Sequence, residues 1–187
     1  MTYYAPSRTI RKLPIVSIVI LILNIIGLVY EFVVGQNNAI RQFAMYQGAF
    51  QDGEWYRMIT SAFLHFGLYH FGSNMMCLGV FGFDLEMRID WWRYALIYLI
   101  SIIGAGFLIN FSGGNGIHAG ASGAIWGLMT STLIYNLRTH RNPLYALRGI
   151  IINLVYSFSA GVSWQGHIGG GIAGLLAALV LSDERRL

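Results

Sequence analysis

The stretch Gly113-Gly-Asn-Gly-Ile-His-Ala-Gly-Ala-Ser-Gly-Ala-Ile-Trp-Gly127 carries a glycine-rich loop into a serine that opens an apolar helix. Glycines let the backbone turn tightly and approach other groups closely. The serine, Ser122, can cap the helix, or it can hold its hydroxyl beside backbone N–H groups that have no partner within the helix. Taken alone, Gly120-Ala-Ser-Gly123 indicates a helix cap. The interpretation of Ser122 as a reactive residue therefore depends on polar residues elsewhere in the chain.

The composition is typical of a membrane protein. Of 187 residues, 56% are hydrophobic and 11% are charged, and the mean hydropathy is +0.56. Soluble domains average about 25% charged residues. We expect a single all-α domain over residues 1–187, embedded in the lipid bilayer. No nucleic-acid partner is expected, because the basic residues behind the net charge of +4 sit at helix ends. The single cysteine, Cys77, excludes an intramolecular disulfide and is interpreted as a small core residue.

Six membrane spans are predicted, because uncharged apolar runs of about 17–25 residues recur along the chain. The first run is too long, and too poorly followed by a cleavage-type sequence, to be a signal peptide. The segment from Gln36 to Arg57 is interpreted as a mixed polar and aromatic connection. The predicted spans form one six-helix bundle and cover residues 13–34, 67–86, 91–111, 122–137, 144–160 and 166–181.

The basic residues predict how the spans are oriented. Ten of the 12 Lys and Arg residues fall in the two tails, around Arg88 and Arg93, and in the segment 138–148. Basic residues collect on the cytoplasmic side, so both termini are expected there, and spans two, four and six start at the outer face. The fourth span covers only about 24 Å at 1.5 Å per residue, so Ser122 should start below the outer surface. Non-helical backbone at that depth requires surrounding protein or water, which predicts a submerged, wet cavity.

Polar residues lie near the outer end of the second span. His70 and Asn74 are four residues apart and share a helix face. Polar residues inside a membrane either take part in function or form structural hydrogen bonds between helices, and this pair alone leaves both interpretations open. His65 lies five residues before His70 and off that face, and it is interpreted as structural.

The sixth span is expected to carry His167 in its first turn and to pack closely on the fourth span. When two membrane helices pair through faces made of small residues, their backbones can approach closely. Such packing would bring the Ser122 hydroxyl and the His167 imidazole within hydrogen-bond reach, as a serine nucleophile and its general base require. A core histidine with satisfied hydrogen bonds is the alternative. The two G-x-x-x-G patterns are Gly123 with Gly127 and Gly170 with Gly174.

Attack on a carbonyl also needs hydrogen-bond donors for the oxyanion. Ser122 would supply its own backbone N–H at the helix start, and His70 and Asn74 could supply side-chain N–H groups. The acidic residues of the chain lie at helix ends or in loops, so none is placed to orient His167. The pattern therefore predicts a Ser-His dyad.

Together these residues resemble the rhomboid family of intramembrane serine proteases, over about residues 13–182. Gly120-Ala-Ser-Gly123 is similar to the family's G-x-S-G nucleophile motif, and His167 with its following glycines is similar to the family's base. His65, His70 and Asn74 match the pattern H-x-x-x-x-H-x-x-x-N, in which the second His and the Asn line the oxyanion hole. The resemblance also assigns supporting positions, namely Tyr56-Arg57 in the first loop, Glu86 at the inner end of the second span, and Trp126, which would pack on the base histidine.

The resemblance implies an endopeptidase that cleaves transmembrane helices near the outer membrane face. Its substrates would be membrane proteins with helix-weakening residues, because a regular helix hides its peptide bonds. The fifth span and the loop Ser159–Gly166 would act as gate and lid. The enzyme would need no cofactor and no metal, and it would lie in the plasma membrane of a prokaryote.

Other functions compete with this one. A catalytically dead relative that binds membrane helices would have lost the serine or the base, and this chain keeps both. A small transporter or channel predicts discontinuous spans in two matching halves, and the sequence has no such symmetry. A metal site made of His65, His70 and His167 lacks the spacing of ligands on one face. His118 is expected in the loop facing the cavity, and His140 on the cytoplasmic surface.

Overall fold

The computed structural model describes residues 13–112, 116–159 and 163–182, without the side chains of 156–159, and these residues are mostly helical. The α-helices are α1 (Ile15–Val34), α2 (Gln36–Phe43), α3 (Arg57–Thr60), α4 (Leu68–Cys77), α5 (Phe83–Glu86), α6 (Trp91–Phe111), α7 (Ser122–Arg138), α8 (Leu144–Ser159) and α9 (Trp164–Leu181). A 3-10 turn covers Ser61–Phe63, and a π-helical segment at Leu78–Gly82 joins α4 to α5. Two short strands, β1 (Met45–Tyr46) and β2 (Ile117–His118), complete the described part of the chain.

Within the described residues, helices lie in all six predicted segments, with small differences at the ends, and the predicted end of the fifth segment at residue 160 lies outside the described residues. The second span is built from α4, the π-helical segment and α5. Helix α9 begins two residues before the predicted start, because the Ser163 hydroxyl accepts a hydrogen bond from the backbone N–H of Gly166 at 3.3 Å and caps the helix. His167 is therefore the fourth residue of α9. By length and composition, three of the described helices are apolar enough to cross a membrane, namely α1, α6 and α9.

The connection between the first two spans is more ordered than its composition suggests. It contains helix α2 and strand β1, and β1 pairs antiparallel with β2, with Met45 opposite His118. The all-α expectation therefore misses a small two-stranded sheet. Two residues are too few for the alternating pattern by which a strand is recognised in a sequence.

The core lies where α6, α7 and α9 pack together. Tyr94 and Ile97 of α6 and Leu128 and Met129 of α7 are fully buried, and Tyr94 and Leu128 also reach Gly82 of the π-helical segment. Helix α6 also contacts α9 through small residues, since a Cβ on Gly169 would overlap the carbonyl oxygen of α6 residue Gly104. Close backbone approach thus extends over all three helices of the core.

Helix α1 packs on this core with a polar face. Its buried polar residues are spaced seven apart, so they lie on one side of the helix: Ser17, Asn24 and Glu31. The Ser17 hydroxyl donates to Tyr94 at 2.7 Å, and a Glu31 carboxylate oxygen accepts from the backbone N–H of His65 at 2.8 Å. Hydrogen bonds therefore hold α1 in place together with the buried apolar side chain of Ile20, and such hydrogen bonds are common between helices in lipid.

Candidate active site

Ser122 and His167 lie together in the first turns of α7 and α9. The hydroxyl Oγ of Ser122 is 2.8 Å from Nε2 of His167. Ser122 is the first residue of its helix, where the first backbone N–H groups have no acceptor within the helix. His167 is 5% exposed, and its ring stacks on Trp126 with a centroid distance of 5.4 Å and an angle of 17°. The stack restricts the imidazole to the plane in which Nε2 meets the serine.

Glycines bring the two helices close enough for this contact. A Cβ on Gly170 would overlap the carbonyl oxygen of Gly123, and a Cβ on Gly174 would lie 2.5 Å from the carbonyl oxygen of Gly127. The hydroxyls of two α7 residues reinforce the pairing, since Thr130 donates to the Gly171 carbonyl and Ser131 to the Gly174 carbonyl, both at 2.8 Å. The two G-x-x-x-G faces therefore contact each other directly.

His70 and Asn74 approach the loop before Ser122 from α4. A Cβ on Gly120 would lie 2.9 Å from Nε2 of His70 and 3.8 Å from Nδ2 of Asn74. Gly120 has a φ of 127°, in the region that favours glycine, and its backbone N–H donates to the Ser61 carbonyl at 2.9 Å. A side chain at residue 120 would thus strain the backbone and also displace His70.

These residues line one cavity of about 760 Å³. Ser122, His167, His70 and Asn74 all contribute to its wall, together with Trp126. Apolar side chains of α4 and α8, including Met76 and Ile152, line another part of it. His118 on β2 is half-buried and also faces the cavity. The cavity is large enough for a segment of extended peptide beside the serine.

The supporting residues Arg57 and Glu86 lie away from the cavity and organise other parts of the fold. Arg57 is 6% exposed, and its guanidinium donates to a Glu54 carboxylate oxygen at 2.7 Å and to the Ala44 and Arg41 carbonyls at 2.9 Å. This network ties the first loop together. The carboxylate of Glu86 accepts the backbone N–H groups of Val16 and Ser17, both at 2.8 Å, and so caps the start of α1.

His65 is buried beside His70 rather than in the cavity wall. Its ring contacts His70 edge to face, with centroids 5.3 Å apart. Its carbonyl accepts from the side-chain amide of Gln36 at 2.9 Å, so both backbone groups of His65 are held by side chains of α1 and α2. Among the described residues, no group of three His, Cys, Asp or Glu side chains is arranged to hold a metal ion.

The arrangement has the parts needed for acyl transfer at a serine. A hydroxyl is hydrogen-bonded to an imidazole, and His70 and Asn74, whose side chains carry N–H groups, line the same cavity. Sequence reasoning misses Phe66, whose backbone N–H donates to Nδ1 of His70 at 3.2 Å. It also misses Ser101 and Ala105 of α6, which pack against Gly127 and Gly123. In the sequence, the only feature that points to Phe66 is its position directly after His65.

Known proteins are similar in sequence to most of this chain. The family model described as Rhomboid domain matches residues 52–184. Rhomboid-type serine protease 2 of Emericella nidulans is 34% identical over 67% of this chain and 27% of its own length. RHOMBOID-like protein 5 of Arabidopsis thaliana is 34% identical over 70% of this chain and 45% of its own length. Rhomboid protease GluP of Bacillus subtilis is 36% identical over 70% of this chain and 27% of its own length. The chain thus spans less than half the length of these relatives.

Proposed function

This chain belongs to the rhomboid family, and on that premise we propose that it is an intramembrane serine endopeptidase with a Ser122–His167 dyad. The observation that carries the proposal is the 2.8 Å contact between Ser122 Oγ and His167 Nε2 inside the cavity. Rhomboid-type serine protease 2 and Rhomboid protease GluP are proteases by name, which supports the same reaction class.

The first half of the reaction forms an acyl-enzyme. Ser122 Oγ attacks the scissile carbonyl carbon while its proton passes to Nε2 of His167. The electron pair of the carbonyl moves to its oxygen, which receives hydrogen bonds from the Ser122 backbone N–H and from the side chains of His70 and Asn74. Collapse of this intermediate breaks the C–N bond, and His167 gives the proton to the leaving nitrogen.

The second half repeats these steps with water. His167 takes a proton from a water molecule as its oxygen attacks the ester carbon of the acyl-enzyme. The C–O bond to Ser122 then breaks, and His167 returns the proton to Oγ. The imidazole must therefore be neutral with a free lone pair on Nε2 when each attack begins. The stack of Trp126 on His167 supports this role, since it keeps the ring oriented through both halves.

The substrates are membrane proteins whose spanning helix unwinds near the outer face. A helical peptide bond is enclosed by its own hydrogen bonds, so helix-weakening residues near the cleavage site promote reaction. The apolar side chains at the cavity edge are exposed on α4 and α8, with Tyr69 at 78%, Met76 at 66% and Ile152 at 66%. Such a surface suits a hydrophobic segment that enters between α4 and α8. The family resemblance assigns α8 and the loop Ser159–Gly166 as gate and lid, and residues 160–162 of that loop lie outside the described residues.

We place the chain in the membrane as one domain with six spans and both termini in the cytoplasm. The excess of basic residues at the tails and at Arg138, Arg141 and Arg148 supports this orientation. In a Cys77→Ser background, a cysteine introduced at Arg141 should react only with reagents added to the cytoplasmic side. Labelling of residue 141 from outside would contradict the orientation.

A fluorophosphonate probe tests the nucleophile. The probe should label the wild-type protein at Ser122, lose that label in Ser122→Ala and lose most of it in His167→Ala. Labelling should also weaken as the pH falls and the imidazole becomes protonated, because imidazolium accepts no proton. Ser73 is a matched control: it lines the same cavity, but its hydroxyl donates to the His70 carbonyl at 2.9 Å. Ser73→Ala should therefore keep the label.

Cleavage of a membrane-spanning substrate is measured in parallel. A folded wild-type protein that takes no label at Ser122 and cleaves no such substrate would be a binding protein for membrane helices, and the protease proposal would be wrong.

A further inference from the structure

The imidazole of His70 is enclosed on two sides by its neighbours in the chain. Phe66 stacks on it with a centroid distance of 6.0 Å and an angle of 6°, and His65 contacts it edge to face at 5.3 Å and 70°. His65 is fully buried, and the hydrogen bonds to its backbone from α1 and α2 fix its position. The ring of His70 therefore has one preferred plane.

The same neighbour also determines which nitrogen of His70 carries the proton. The Phe66 backbone N–H donates to Nδ1 at 3.2 Å, so Nδ1 offers its lone pair. A neutral imidazole has one donor and one acceptor nitrogen, so the proton lies on Nε2. Nε2 is the nitrogen against the Gly120 backbone, two residues before Ser122. His70 thus presents an N–H, and not a lone pair, to the loop before the serine.

We infer that Phe66 is a positioning residue, which holds His70 as an Nε2–H donor for the oxyanion. The catalytic part of this inference rests on the proposed function, whereas the tautomer and ring plane of His70 are properties of the resting protein. The backbone N–H of residue 66 stays in every variant except proline, so the ring acts by holding the imidazole in the plane in which Nδ1 meets that N–H. Without the ring, the imidazole can rotate out of this hydrogen bond and exchange its proton between the two nitrogens. The donor is then present in only part of the population, and turnover falls in proportion.

Kinetics on four proteins test the role of the ring. Phe66→Leu keeps apolar bulk without a stacking face, and Phe66→Trp keeps the stack. Phe32→Leu makes the same substitution at an exposed side chain of α1, outside the wall of this cavity. We expect Phe66→Leu to lower kcat about tenfold with little change in KM, the scale of one aromatic contact. Phe66→Trp should keep the wild-type kcat, and Phe32→Leu should leave kcat unchanged. A change confined to KM in Phe66→Leu would overturn the inference, because Phe66 would then contact only substrate.

Nitrogen-15 NMR of histidine-labelled protein tests the tautomer without any reaction. His70 in the wild type should show Nδ1 as the acceptor and Nε2 as the protonated nitrogen, and Phe66→Leu should shift both signals towards a mixture. Identical His70 spectra in wild type and Phe66→Leu would overturn the inference even if activity changes. A wild type without turnover or Ser122 labelling, but with the expected spectra, would instead refute the proposed function and leave the positioning of His70 established.

Discussion

Replacing Gly170 by Ala tests whether backbone contact between α7 and α9 creates the Ser122–His167 pair. A Cβ on Gly170 would overlap the Gly123 carbonyl oxygen and lie 2.6 Å from its carbonyl carbon and 3.1 Å from its Cα. Ordinary contacts between carbon atoms are about 3.5–4.0 Å, so the helices must separate locally by roughly 1 Å. Gly123 directly follows Ser122, and Gly170 is three residues after His167. The 2.8 Å contact would thus lengthen beyond hydrogen-bond range.

The magnitude follows from this displacement. Overpacking of a close contact costs about 1–3 kcal/mol, partly offset by about 0.5–1 kcal/mol because Ala is favoured over Gly inside a helix. A shift of about 1 Å in a catalytic group costs roughly 10²-fold in rate. We expect the fluorophosphonate labelling rate of Ser122 in Gly170→Ala to fall by about 10²-fold, while the protein remains folded.

Gly171→Ala is the matched control on the same helix. A Cβ on Gly171 would make only ordinary contacts, 3.6 Å from both Thr130 Cγ2 and Trp126 Cε3. This variant gains the same helix preference without the overlap, so its labelling rate should equal that of the wild type. Equal labelling rates for folded Gly170→Ala and Gly171→Ala would refute the link between helix approach and the catalytic pair.

Three further results are expected. Glu86→Gln removes a carboxylate that caps two N–H groups of α1, so it should destabilise the protein by about 1 kcal/mol, or about 2–4 °C in Tm. The control Asp84→Asn should change Tm little. The hydrogen bond from Arg57 holds the pKa of Glu54 below its usual range. In thermal unfolding, the stability lost in Glu54→Gln should therefore be constant above about pH 4.3 and should vanish as the pH falls through that lowered pKa. His70→Ala and Asn74→Ala should each lower kcat by about 10²–10³ with smaller effects on KM, and unchanged kcat in both would remove them from the oxyanion site.

Much of the helical architecture is predictable from the sequence, because a bilayer imposes a simple rule. A spanning segment must satisfy its own backbone hydrogen bonds over about 30 Å, so long apolar runs become helices of known length. The bounds of α6, Trp91–Phe111, coincide with the prediction for this reason. The approach of α7 and α9 is also predictable from the sequence, since glycines spaced four apart on a helix lie on the same face and leave that face flat.

Tertiary structure alone decided how these helices combine. On the polar face of α1, Ser17 bonds to Tyr94 of α6 and Glu31 to the backbone N–H of His65, both far away in the sequence. The β1–β2 pair joins two loops that are more than 70 residues apart and too short to show a period. The tautomer of His70 depends on the backbone N–H of Phe66, a group that every residue except proline carries. Sequence patterns indicate which helix faces are apolar or made of small residues. A hydrogen bond between distant residues, in contrast, exists only once packing has brought its two atoms together.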